Sequence, residues 1–159
     1  MEVNKIIDDA FCEVTKKLVS LDLDRIDSDT GPGEVSSPQG YREMIQTYGY
    51  MDSMILCRFS EEMFHHIVDT MNNGVPPSEE EVPLYLNEYI NIACGCAVSK
   101  INNLTGTKTR LSLPRFYRKG EPFDDVASTG TIHNLAYQSS LGMLQIYMFY
   151  SLRDCEEEN

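Results

Sequence analysis

The segment EEEVPLYLNEYINIACGCAVSKINNLTGTKTRLSLP, Glu79 to Pro114, holds the longest helical pattern of the chain. Its apolar spacing predicts a helix over Ser78–Leu104, with Leu111-Ser112-Leu113-Pro114 as the strand that follows. At about 100° per residue, Leu86, Ile90, Ala93, Ala97, Ile101 and Leu104 fall along one side and require a core. Glu88, Asn91, Gly95, Ser99 and Asn102 gather on the opposite side. That second stripe is polar or small. It can stay wet, or it can accept a close-fitting partner.

A glutamate and an asparagine three residues apart occupy adjacent turns and can act on the same small target. The amide is neutral, with two donors and a carbonyl acceptor, so it can hold a water and approach an anionic group without repelling it. The carboxylate beside it can pair with a lysine or arginine on a docked molecule. Such a pair suits phosphoryl hydrolysis, in which the protein mainly positions the water and stabilises charge. Acyl transfer and glycoside hydrolysis need a nucleophile with its base, or two carboxylates, and fit poorly. The chain has no Gly-rich phosphate loop, no Ser/His/Asp set and no cysteine nucleophile with a placed histidine. A solvated helix face has the same composition, so the pair alone leaves both readings open.

The proline narrows them. Asn91 is followed by 22 residues and then Pro114. This Glu88-x-x-Asn91-x22-Pro114 pattern resembles the signature of the CheC/CheX/FliY family of chemotaxis phosphatases. Gly95, the Thr105-Gly106 helix exit and the Leu111–Pro114 strand resemble that family as well. A single copy in a chain of this size is closer to CheX-like members than to CheC, which carries two. The FliY branch has extra domains that find no counterpart here.

The resemblance implies hydrolysis of the aspartyl phosphate on a CheY-like receiver domain. In that picture Asn91 aligns the attacking water and Glu88 pairs with the receiver's lysine. Gly95 leaves room for the partner's backbone, and Ser99 and Asn102 line the rim. Magnesium belongs to the receiver, so no metal or cofactor of the chain's own is implied, and a homodimer is expected. Pro114 belongs to the signature without an implied mechanistic role, although a proline in a strand marks an edge or a bulge. One position departs: the family pattern often has Asp or Ser four residues before the Glu, where this chain has Leu84. The departure favours an alternative, a non-catalytic CheX-like module that binds a receiver or serves as a dimeric adaptor.

The 159 residues, 42% of them hydrophobic, suit one domain with a real core, ending in an acidic tail from about residue 153. The formal charge of −12, with no dense basic patch, argues against a nucleic-acid footprint. Much of the acid is local, at Glu79-Glu80-Glu81, Asp124-Asp125 and Asp154 to Glu158, as on a solvated surface. A receiver's pocket is acidic too, so recognition is expected to act at short range. No apolar run reaches membrane-spanning length and no signal-peptide pattern opens the sequence, so a cytoplasmic protein is expected. Five cysteines (Cys12, Cys57, Cys94, Cys96, Cys155), odd in number and without paired zinc spacing, read as reduced thiols.

The remaining elements follow from periodicity. Val3–Leu21 reads as an amphipathic helix, with Ile6, Ile7, Ala10, Phe11, Val14 and Leu18 on one side. Asp24–Gly40 reads as a loop. Tyr41–Tyr50 and Ser53–Phe59 read as strands joined around Met51-Asp52. Ser60 can cap a helix running to about Met71. In that helix His65 and His66 point about 100° apart, one to be packed and one exposed. Ser78 and Glu81 form a capping-box pattern, whereas Pro83 requires either a kink or a regular start near Val82. Strands are predicted at Lys108–Tyr117, Thr129–Gln138 and Gly142–Leu152, the last of them central. Short turns imply antiparallel pairing. The expected class is α+β, an antiparallel sheet packed with long helices.

Overall fold

The computed structural model describes residues 1–27, 40–122 and 131–153. Among these residues three helices pack on a seven-stranded, antiparallel sheet, the α+β class that the periodicities predict. The elements are α1 (Val3–Val19), β1 (Asp24–Ile26), β2 (Tyr41–Gly49), β3 (Met51–Phe59), α2 (Glu61–Met71), α3 (Val82–Thr105), β4 (Thr109–Leu111), β5 (Arg115–Tyr117), β6 (His133–Ser139) and β7 (Gly142–Leu152). The spatial order is β1-β6-β7-β3-β2-β4, with β5 also paired to β2. The expected central strand is β7, buried from Leu144 to Met148 and flanked by β3 and β6.

The core lies between the helices and the inner sheet face. Ile7, Phe11 and Val14 of α1 and Phe64 and Ile67 of α2 meet Ile90, Ala93 and Ala97 of α3 over Ile55, Ile146 and Met148. Inside it, Thr15 Oγ1 and Tyr89 Oη share a 2.5 Å hydrogen bond that ties α1 to α3. Tyr137 donates to Asp8 Oδ1 at 2.5 Å and ties α1 to β6. His66 Nε2 donates to the Val19 carbonyl at 2.7 Å, while His65 stands exposed near Glu61. That is the division expected of adjacent helical histidines.

Several boundaries differ from expectation. The segment Asp24–Ile26, read as loop, is a short strand held against β6; most of the expected loop lies outside the described residues, as do Thr129, Gly130, Asp124-Asp125, Cys155 and the tail. The β2–β3 turn falls at Gly49-Tyr50 rather than Met51-Asp52, and β3 begins at Met51. Gly49 sits at φ +120°, where an added Cβ would come 2.3 Å from the Lys108 carbonyl oxygen. Only glycine lets the chain leaving α3 cross so close. Ser60 precedes α2 without a side-chain cap bond, because its hydroxyl accepts from Met143 N at 3.0 Å.

The long helix starts at Val82, one of the two starts that Pro83 allowed. Proline sits in the first turn, where its missing N–H has no intrahelical acceptor to lose. Ser78 and Glu81 do bond, side chain to side chain at 3.1 Å, but in a turn before the helix rather than as its capping box. Gly106 closes the far end in the left-handed conformation, its N–H on Asn102 O at 2.9 Å. Leu104, expected in the core, is 69% exposed. Burial ends at Ile101, and Asn103 and Gly106 are exposed with it.

Candidate functional site

Glu88 and Asn91 are exposed on α3, while Leu86, Tyr89, Ile90, Ala93 and Cys94 around them are buried. The core residues fix the rotation of the helix and turn the pair outward. Leu84, one turn before Glu88 on the same stripe, is 65% exposed, and Ser99 is exposed further along. Neither Glu88 nor Asn91 lines the cavity of about 470 Å³ bounded by Gln46, Tyr48, Met54, Phe149 and Arg153. The pair stands on an open surface, which suits a large target better than a small enclosed one.

The chain beyond α3 folds back along this stripe, and three contacts fix its path. Asn102 Nδ2 donates to Thr109 O at 3.2 Å, and Thr109 N donates to Asn102 Oδ1 at 2.8 Å. A Cβ on Gly95 would meet Leu111 Cδ1 at 3.9 Å. Arg118 Nη2 donates to Glu79 O at 2.9 Å, just before the helix. These contacts tie the returning segment to α3 near Gly95 and to the turn before it at Glu79, on either side in sequence of Glu88 and Asn91. Pro114 lies in the middle of that segment. The 22 residues between Asn91 and Pro114 finish the helix, turn at Gly106 and form β4.

Pro114 also explains a correction. Lys108–Tyr117, expected as one strand, is two strands of three residues separated by a bulge. Leu111 faces Thr47 and Arg115 faces Met44, so Ser112, Leu113 and Pro114 oppose only Gln46 and Ile45. Three residues against two cannot keep a ladder, and Pro114 has no N–H to contribute. Ser112 repairs the break: its N–H donates to Gln46 O at 2.8 Å and its Oγ accepts from Gln46 N at 2.9 Å. Proline thus occupies the bulged edge position expected of it. Leu113 is thrown outward, 89% exposed.

The expected rim is divided. Ser99 is exposed, but the amide of Asn102 is committed to Thr109 and holds β4 against the helix. Gly95 faces Leu111 at ordinary van der Waals distance, so packing within the chain does not demand a glycine there. Positive charge gathers on the returning segment, where it serves local contacts: Arg115 lies over the Tyr117 ring, Arg118 reaches Glu79, and Lys119 reaches Glu61.

Beneath the site lies an acid that the sequence reading missed. Glu43 on β2 is fully buried, and neither carboxylate oxygen has a hydrogen-bond partner among the described residues. Burial pushes its carboxyl up to about 9, so it is neutral at pH 7. Burial and then Glu43 raise the Cys94 thiol on α3 to about 12, and Cys57 is raised well above the usual range. These thiols stay protonated and unreactive. Strand parity could have found Glu43, because it shares its face with Ile45 and Thr47. Among the described residues no group of three or more His, Cys, Asp or Glu could hold a metal, and no helix is long and apolar enough to cross a membrane.

Solved structures share this arrangement of elements. CheX from Vibrio vulnificus is 19% identical with a TM-score of 0.76, covering 95% of this chain and 97% of its own. CheX from Desulfovibrio desulfuricans is 10% identical with a TM-score of 0.78, covering 95% and 100%. CheX from Borrelia burgdorferi, solved in a complex with CheY, BeF3 and Mg, is 16% identical with a TM-score of 0.66, covering 94% and 97%. At these identities the likeness establishes the fold. No curated protein matches the chain in sequence. The family model described as chemotaxis phosphatase CheX matches residues 42–132, more than half of the sequence, and takes in α3, the Glu88–Asn91 pair and Pro114. The chain belongs to the CheX family.

Proposed function

We propose that this protein removes the aspartyl phosphate of a CheY-like receiver domain. The observation that carries the reading is the outward display of Glu88 and Asn91 on adjacent turns of α3. Family membership and the relative solved with CheY support the choice of partner.

In this reading the Asn91 amide enters the receiver's site and holds a water in line with the phosphorus. Its carbonyl oxygen accepts from the water and its N–H donates, without adding charge to an anionic centre. Water oxygen bonds to phosphorus as the bond from phosphorus to the aspartyl oxygen breaks, giving inorganic phosphate and a free carboxylate. Glu88 pairs with the receiver's lysine and fixes the docked geometry. Magnesium is carried by the receiver, and no covalent intermediate forms on this chain. The reading places the protein in the cytoplasm, where receivers act, and includes a homodimer formed through a sheet edge.

Phosphate release from a phosphorylated CheY-type receiver of the same organism tests it. Acceleration by this protein supports the phosphatase. Binding of the BeF3-loaded receiver without acceleration would support the second reading, a receiver-binding or dimeric adaptor module, which Leu84 at the usual Asp or Ser position favours.

A further inference from the structure

Two large apolar side chains stand in the open, one on the helix that carries the proposed site and one on the segment that returns from it. Leu84 lies on the same helical stripe as Glu88 and Asn91, one turn nearer the start of α3, and is 65% exposed. Leu113 is 89% exposed at the tip of the bulge that the chain makes before Pro114. Sequence puts them 29 positions apart, and the segment that carries the bulge is tied to α3 near Gly95 through Leu111 and to the turn before the helix at Glu79 through Arg118. Each local structure keeps its leucine out of the core. Leu84 points away from the buried face of Leu86 and Ile90, and the extra residue in the edge strand turns Leu113 outward.

We propose that Leu84 and Leu113 are the apolar anchors by which this chain recognises its receiver, one on the helix and one on the bulge. The inference rests on the phosphatase reading and names what gives that site its affinity. Charge supports it. A chain of net charge −12 gains no attraction at a distance for an aspartyl phosphate in an acidic pocket. Affinity must then come from contacts made at close range, and desolvation of apolar surface next to one placed carboxylate supplies it. Leu84 in place of the usual polar residue is thereby a change in recognition, leaving the pair that acts on the phosphoryl group in place. Leu84 continues the stripe of the proposed docking pair by one turn, so the occupant is the receiver itself rather than a segment of this chain.

The test uses the full chain with Leu84→Ser and Leu113→Ser, singly and together, against the phosphorylated receiver and the BeF3-loaded receiver. Both positions are exposed, so the variants should fold as wild type, which circular dichroism and Tm check. Each substitution should raise KM and the Kd for the BeF3-loaded receiver about tenfold, with the loss falling on KM rather than kcat. Wild-type KM and Kd in both variants, beside an active wild type, would overturn the anchors and leave the phosphatase reading intact. Conversion of a dimer to a monomer by either substitution, with KM unchanged, would assign the surface to a second copy and overturn the proposal. An inactive, non-binding wild type would overturn the phosphatase reading and this inference together.

Discussion

The side-chain amide of Asn102 and the backbone of Thr109 exchange two hydrogen bonds, at 3.2 and 2.8 Å. The asparagine thus behaves like one residue of a neighbouring strand and clamps β4 to the end of α3. Asn102→Ala should lower stability by about 1–3 kcal/mol, since it leaves a partly buried N–H and carbonyl without partners. For a chain of this size that is a fall in Tm of about 2–4 °C per kcal/mol. Thermal unfolding checks it. A Tm unchanged from wild type would mean that the clamp contributes nothing and that Asn102 is free to serve the rim.

Gly95 sits inside α3, where glycine costs a helix about 1 kcal/mol relative to alanine. An added Cβ would meet only Leu111 Cδ1, at 3.9 Å. Gly95→Ala should therefore stabilise the isolated protein by about 0.5–1 kcal/mol while weakening the BeF3-loaded receiver's binding. Denaturant unfolding and a binding titration separate the two effects. Loss of stability without loss of binding would make the glycine a matter of internal packing.

Glu43 gives a pH signature. Its folded value of about 9 lies above its ordinary value of 4.5, because burial penalises the charged form. Between those limits the folded protein keeps a proton that the unfolded chain releases. Stability is therefore fullest below the lower limit and is lost as pH rises toward the upper one, by up to about 1.4 kcal/mol per pH unit. Glu43→Gln removes this dependence. The difference in stability between the variant and wild type should move in the variant's favour from pH 5 to pH 9. A difference that stays constant over that range would show the carboxyl to be paired or hydrated.

Glu88→Ala should weaken binding of the BeF3-loaded receiver by about 1.5–3 kcal/mol, the usual worth of a charge-assisted bond. Its exposure means that Tm should hardly change. Calorimetry on the complex reads the first and thermal unfolding the second. Unchanged affinity would argue against Glu88 as the partner of the receiver's lysine.

The long helix, its two stripes and the Glu–Asn–Pro spacing were legible in the sequence because each rests on one element and its period. The division of Lys108–Tyr117 into two strands was not, because it depends on how many residues β2 offers opposite Ser112–Pro114. Asn102 looked like its stripe-mates Ser99 and Asn91, and only the return of β4 shows that its amide is engaged. Leu104 fitted the apolar period, but period does not say where a neighbouring layer stops. The strand Asp24–Ile26 carries no alternation of its own and exists through its pairing with β6.

The most direct measurement compares phosphate release from the phosphorylated receiver with wild type and with Asn91→Ala, at saturating concentrations of each. Asn91 is exposed, so the variant should keep the wild-type Tm and still bind the BeF3-loaded receiver. The account predicts acceleration by wild type and release at the receiver's own rate with Asn91→Ala. Equal acceleration by both folded proteins would contradict it, because the water would then be oriented by something other than the Asn91 amide.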